Sequence, residues 1–224
     1  AGIVSAQLAK LGFTGPPSVL EGPQGFFAGA CPDPDPDAVL RDPDAPWQVH
    51  STSIKPWPSC RHTHPVIDAA LELSGKIKVK DIDYVDVIGY QAAIDVCDRP
   101  NPETEYEAKF SLQHCVAISL LDGENVFASY NSSARDRADG LRSRITVSAG
   151  EGYSAAYPEN WGGEVTVHLR DGGEITATRN ACKGDPELPL DREQMILKAR
   201  ELLAFASVND ANAVVDGVLD MAHG

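Results

Sequence analysis

Ten residues, Lys55-Pro-Trp-Pro-Ser-Cys-Arg-His-Thr-His64, hold two cations, two imidazoles and a thiol. Such a set is suited to handling a carboxylate. Lys55 and Arg61 supply positive charge, and a guanidinium can grip both carboxylate oxygens. An imidazole beside them supplies a base or an acid near neutral pH. Proline fixes φ and keeps the residue before it extended, so the segment reads as a stiff loop. An apolar helix pattern begins at His64, and a helix N-terminus attracts anions through its free N–H groups and its dipole. Each residue also has a plainer reading: surface cations, turn or capping histidines and, for Cys60, a small buried hydrophobe. Cys60, His62 and His64 could also bind zinc. No second ligand cluster accompanies them, and no metal site is expected.

A second segment, Ala108-Lys-Phe-Ser-Leu-Gln-His-Cys-Val116, carries Ser111, Gln113, His114 and Cys115. On a single helix over 105–121, Ser111 and His114 are three apart, and Ser111 and Cys115 four, which places them near one another. His114 is expected near the polar edge of an otherwise buried helix, either as a satisfied core histidine or as an acid/base group facing the Lys55–His64 loop. Gln113 would orient a partner. There is no Gly-x-Ser-x-Gly elbow, and Gly150-Glu-Gly152 lacks the strand–turn–helix setting of a phosphate loop.

The elements that must position these residues follow from periodicity. Helices are expected over 1–12, with Gly12 as the stop, over 64–74, 105–121 and 133–143, and in two C-terminal stretches. The first of those two starts at Asp191 as N-cap, with Gln194 in the capping-box position. A short apolar helix is expected near Phe26. Strands are expected over 47–53, 85–90 and 144–147. Residues 164–170 and 174–178 flank Asp171-Gly-Gly173 and read as a hairpin. Cys31-Pro-Asp-Pro-Asp-Pro-Asp37 reads as a solvated connector. The organisation expected is an α+β unit over 50–180 between helical pieces at 1–49 and 181–224.

Composition narrows the function. The chain has 224 residues, 42% apolar and 23% charged, as in a folded globular protein. Its net charge of −14 argues against nucleic acid and anionic membranes as partners. If the ligand is an anion, local cations must dominate the global field. No apolar run approaches the ~20 residues that span a bilayer, and no signal-peptide pattern is visible. Five scattered cysteines without a Cys-x-x-Cys pair favour reduced thiols and a cytoplasmic setting. The Ala-Gly start suggests a processed protein, a fragment or one part of a longer gene product.

Four motifs, in order, resemble those of the MmgE/PrpD family: Leu20-Glu-Gly-Pro-Gln-Gly-Phe-Phe27, the Lys55–Ala70 stretch, Ala108–Gly123 and Gly184-Asp-Pro-Glu-Leu-Pro-Leu190. The family includes 2-methylcitrate dehydratase, cis-aconitate decarboxylase and iminodisuccinate epimerase. The resemblance implies a lid domain of α+β type flanked by helices of an all-helical domain, whose N-terminal half this chain lacks. It implies a site between the two domains, no metal or organic cofactor, and commonly a homodimer. The missing half would come from a second chain in trans or be lost.

Carried over residue by residue, Lys55 matches the family's active-site lysine. The decarboxylase branch has a histidine where Cys60 stands and a tyrosine where His114 stands, which points away from decarboxylation. The expectation is an enzyme that abstracts a proton α to a carboxylate on a small di- or tricarboxylate, as a dehydratase-type lyase or an epimerase. Lys55, His114 and His62 are the catalytic candidates. Lys55, Arg61, Cys60, His64, Ser111 and Gln113 are the substrate-binding ones. The alternative is a non-catalytic carboxylate-binding or assembly subunit.

Overall fold

A computed structural model gives the fold; the residues it describes are 1–30, 32–35, 37, 44 and 46–221. They divide into two compact units, Ala1–Gln48 and Val49–Gly224. The first unit contains α1 (Gly2–Lys10) and α2 (Phe26–Ala30). Helix α1 buries none of its residues, and Ile3, Val4, Leu8 and Leu11 are exposed. The acidic connector lies partly outside the described residues.

The second unit is of α+β type, built on a four-stranded sheet in the order β2-β1-β3-β4. Strand β1 (Ile82–Gly89) pairs in parallel with β2 (Ile145–Ala149), in the register Val85↔Ile145 and Val87↔Val147. A parallel pair needs a long crossover, and four helices fill it. These are α4 (Gln91–Cys97), α5 (Glu105–Ala108), α6 (Leu112–Asp122) and α7 (Ser132–Arg142). On its other side β1 runs antiparallel to β3 (Gly163–Leu169). A turn at Asp171-Gly-Gly173 then folds β4 (Glu174–Arg179) back onto β3. Gly172 has φ of +88°, and the Asp171 carboxylate accepts the Gly173 N–H at 2.9 Å, so the turn follows from its own residues.

Strand periodicity sorts the sheet faces. Val85, Val87, Val165, Val167 and Ala177 point into the core, while Asp86, Thr166 and Thr176 point out. Helix α3 (His64–Ser74) and helix α6 cover the inward face. Val66, Ala69, Ala70 and Leu73 of α3 meet Leu112, Val116, Ala117 and Leu120 of α6 in one cluster. Each large side chain so buried contributes roughly 1.5–3 kcal/mol. Helix α6 is buried throughout Leu112–Leu120, as expected of a helix apolar on nearly every face. It stops at Gly123, whose φ of +68° forms a left-handed C-cap.

The chain continues through α8 (Glu151–Ala156) and ends in α9 (Arg192–Phe205) and α10 (Ala211–Met221). Asp191 caps α9 in a capping box with Gln194. Helices α9 and α10 pack on each other, with Met195, Ile196, Leu203 and Val218 among the side chains lining an apolar groove. Phe205 stacks on Phe127 at 4.4 Å.

Two expectations need correction. Residues 47–53 are not a strand: Gln48–Ser51 form a 3₁₀ turn, and alternation over so few residues does not outweigh the Pro46 and Pro56 that bracket them. Residues 105–121 are not one helix. They break at Lys109–Ser111 because Thr104 and Ser111 each cap a new start: Thr104 forms a capping box with Glu107, and Ser111 Oγ accepts the His114 N–H at 3.0 Å. Helices α4 and α8 were not anticipated. No helix among the described residues is long and apolar enough to cross a membrane.

Candidate active-site loop

The loop 55–63 is fixed at both ends. At its start, the Ile54 N–H donates to the Gly184 carbonyl at 2.8 Å. Gly184 has φ of +89°, and a Cβ there would lie 1.9 Å from the Ile54 oxygen, so the position accepts glycine alone. Further on, the Cys60 N–H donates to the Lys109 carbonyl at 2.9 Å. The Cys60 carbonyl accepts both the Thr63 N–H at 2.9 Å and the Thr63 hydroxyl at 2.8 Å. A 3₁₀ turn, Arg61–Thr63, then feeds α3 with Pro65 in its first turn, where a missing N–H costs nothing. The Trp57 indole N–H donates to the Asp68 carboxylate at 3.1 Å, pinning the middle of the loop to α3.

The two cations differ. Lys55 is exposed and donates to the Ser59 carbonyl at 3.3 Å. Among the described residues no carboxylate pairs with it. Arg61 is engaged: its guanidinium reaches Asp185 Oδ2 at 2.5 Å and lies 4.0 Å over the Trp161 ring. Its Nε is buried and has no hydrogen-bond partner among the described residues. Asp185 already answers most of the Arg61 charge, so Lys55 is the cation left for a ligand.

His62 lies in an aromatic cluster. It stacks on Trp161 at 4.8 Å and 14°, and its Nδ1 is 2.7 Å from the Tyr90 hydroxyl. Tyr90 in turn stacks on Tyr157 at 4.6 Å. Burial, and then the charges of Arg61 and Lys55, hold the His62 imidazole below its ordinary range, so it is neutral near pH 7. Burial pushes the Tyr90 phenol upward, so it keeps its proton.

His64 is buried. One ring nitrogen donates to the Ser59 carbonyl, the oxygen that also accepts Lys55, while Nε2 has no partner among the described residues. Burial drives its pKa down to about 3. Cys60 is half-buried. Its thiol is lowered to about 6, chiefly by the hydrogen bond from Cys97, with the His62 N–H and the Lys55 charge adding to the effect.

The second segment goes elsewhere. His114 is fully buried rather than at a polar edge, because α6 has no polar edge along Leu112–Leu120. Its Nε2 meets the Ser129 carbonyl at 2.8 Å and its ring lies against Tyr130, so its hydrogen bond is not made to the loop. Burial lowers its pKa to about 4. Ser111 donates to the Arg99 carbonyl at 2.6 Å, and Gln113 bridges Asp98 Oδ1 at 2.5 Å and the Arg99 N–H at 3.2 Å. These two fasten α6 to the loop after α4. Cys115, not His114, turns toward the first segment: its thiol is near the Ser59 and Thr63 hydroxyls and lies 3.8 Å from that of Tyr130.

The structure therefore brings Lys55, Cys60, Arg61, His62 and His64 together and places Ser111, Gln113 and His114 in supporting packing. Residue-by-residue reading missed Tyr90, Trp161, Asp185 and Cys97. Only Asp185 had a signal, inside the Gly184–Leu190 motif. Among the described residues no group of three or more His, Cys, Asp or Glu is arranged to hold a metal ion; Cys60, His62 and His64 turn to separate partners.

Residues 57–220 match the family model of the MmgE/PrpD C-terminal domain. The chain is similar to the cis-aconitate decarboxylases of Mus musculus, at 24% identity over 239 residues, and Homo sapiens, at 25% over 236. Each match covers 98% of this chain and 48% of the relative. The chain thus spans about half the length of the curated relatives it matches.

Proposed function

This chain belongs to the MmgE/PrpD family, and we propose that it carries the carboxylate-holding part of an enzyme acting on small di- or tricarboxylates. The observation that carries this reading is Lys55: an exposed ammonium without a carboxylate partner among the described residues, in a chain of net charge −14, beside a neutral imidazole. Lys55 binds a substrate carboxylate and stabilises the enediolate that forms when the α-proton leaves. With Nδ1–H donating to the Tyr90 hydroxyl, His62 Nε2 keeps its lone pair and takes that proton. Loss of a β-leaving group then gives a dehydratase-type lyase; reprotonation from the opposite face gives an epimerase. In a decarboxylase, the activity named for both relatives, the same cation would stabilise the carbanion left by carbon dioxide.

Residues 1–49 and 181–224 belong, on this reading, with a helical body completed by a further segment, and 50–180 form the lid. Native mass spectrometry of untagged protein from its source tests this: a second polypeptide of helical-domain size supports it. Activity is tested on that material by deuterium uptake from D₂O into citrate-like and iminodisuccinate-like acids. Uptake that Lys55→Met abolishes supports the reading. Calorimetric binding of the same acids without uptake would replace it with a non-catalytic carboxylate-binding subunit.

A further inference from the structure

Four cysteines are described, and they differ in access and company. Cys115 and Cys182 are buried, with their sulfurs against backbone carbonyls: Ala108 at 3.7 Å and Trp161 at 3.6 Å. Cys97 is buried at the end of α4, inside the main core cluster. Cys60 alone of the four reaches solvent. It is the N-cap of the turn Arg61–Thr63, which packs on α4, and its side chain lies against the cluster containing Cys97. The two thiols act on each other across this contact. One sulfur can meet a small oxidant; the other, in the core against which it packs, cannot.

We propose that Cys60 and Cys97 form a peroxide-sensitive thiol pair, with Cys60 as the reacting sulfur and Cys97 as the resolving one. In the first step the Cys60 thiolate attacks one oxygen of hydrogen peroxide. An S–O bond forms, the O–O bond breaks, and hydroxide leaves to become water. In the second step Cys97 gives up its proton and its sulfur attacks the Cys60 sulfenic acid. The S–S bond forms, the S–O bond breaks, and the departing hydroxide takes the proton as a second water. Two thiols are oxidised and one peroxide is reduced.

Two further observations support the roles. The hydrogen bonds that favour the Cys60 thiolate come from Cys97 and the His62 N–H, so the resolving residue also activates the attacking one. The neighbouring Cys60 thiol, and then burial, push Cys97 well above the ordinary thiol range, which keeps it a proton-bearing donor until Cys60 is oxidised. The disulfide would tie the loop bearing Lys55 and Arg61 to the end of α4. The proposal does not depend on the enzymatic reading.

The test is peroxide treatment of the full chain at neutral pH, an N-ethylmaleimide quench, and peptide mapping. The expected product is a Cys60–Cys97 cross-link with a mass loss of two hydrogens, reversed by dithiothreitol, while Cys115 and Cys182 remain as thiols. Before oxidation Cys60 should alkylate about tenfold faster than the three buried cysteines. In Cys97→Ala, Cys60 should stop as a sulfenic acid that dimedone captures. Should that variant fail to fold, Cys60→Ser at the half-buried position should abolish the mass loss. Cross-links to other cysteines, Cys60 over-oxidised beside a free Cys97, a wild-type chain unchanged by peroxide, or a mass loss surviving in Cys60→Ser would each overturn the proposal.

Discussion

The segments Cys60–His64 and Ser111–Cys115 each place a histidine and a cysteine at the N-terminal end of a core helix, α3 and α6. In each, one imidazole is buried and neutral, with one ring nitrogen on a carbonyl oxygen, Ser59 or Ser129, and the other without a partner among the described residues. The surroundings separate them. Prolines hold the first segment outside the helix, so Lys55, Cys60, Arg61 and His62 point in different directions and stay partly accessible. The second lies within a helix buried on nearly every face, and its polar groups serve its cap and its neighbours. Residue type is shared; backbone form decides which set remains available for chemistry.

The largest test concerns the feature the segments share. An ordinary imidazole titrates near 6.5, whereas His64 and His114 are lowered to about 3 and about 4. Below pH 6.5 the unfolded chain therefore binds protons that the folded chain refuses, and stability falls as pH falls. Lys55, Arg61 and Lys198 face His64, and Arg135 and Arg142 face His114, all acting in the same direction. Between pH 7 and pH 5 each histidine should cost about 2 kcal/mol. Asp68, raised by burial, works in the opposite sense and offsets part of this at lower pH. Urea midpoints at the two pH values should draw closer in His114→Gln and again in His64→Gln, with the remainder left to His62 and Cys60, which are lowered in the same sense. An unchanged pH slope in either variant would show that its histidine is not held neutral, and the likeness between the segments would break there.

Next in size is Gly184→Ala. It forces a side chain onto the Ile54 carbonyl at a positive φ, and should cost about 3 kcal/mol in unfolding free energy because backbone must move. Calorimetry should read that loss, and indole fluorescence should show lost order around Trp57. His114→Ala should follow at about 2–3 kcal/mol, from a core void and an orphaned Ser129 carbonyl. Asp185→Asn should cost about 1–2 kcal/mol, since Arg61 is partly solvated and keeps its place over Trp161.

Helix α3, the sheet hairpin and the Asp191 cap were legible because each is set by local sequence: an apolar face, an Asp-Gly-Gly turn, a capping box. The break at Ser111 was harder to see, since a serine inside a helical pattern also has the plain reading of a polar residue on a helix face. In the candidate site, the loop and its cations were legible as types. The pairing of Arg61 with Asp185 was not: 124 positions separate them, and only the return of the chain past Gly184 brings them together. The His62 cluster is hidden for the same reason, because Tyr90, Tyr157 and Trp161 come from three separate stretches.

The smallest stability effect belongs to the most informative residue. His62→Ala removes a half-exposed ring from the edge of an aromatic cluster and should cost below about 1 kcal/mol. His114→Ala should cost more than twice that. If His62 serves as the base, the order reverses for chemistry: deuterium exchange should fall by about 10² or more in His62→Ala, and by much less in a His114 variant that still folds. His62→Gln, which can keep a hydrogen bond to Tyr90 but cannot take a proton, should restore stability and leave exchange lost. Recovery of exchange in that variant would mean that His62 only positions its neighbours. Proton transfer would then belong to another group, and the accessible segment would hold the substrate without deprotonating it.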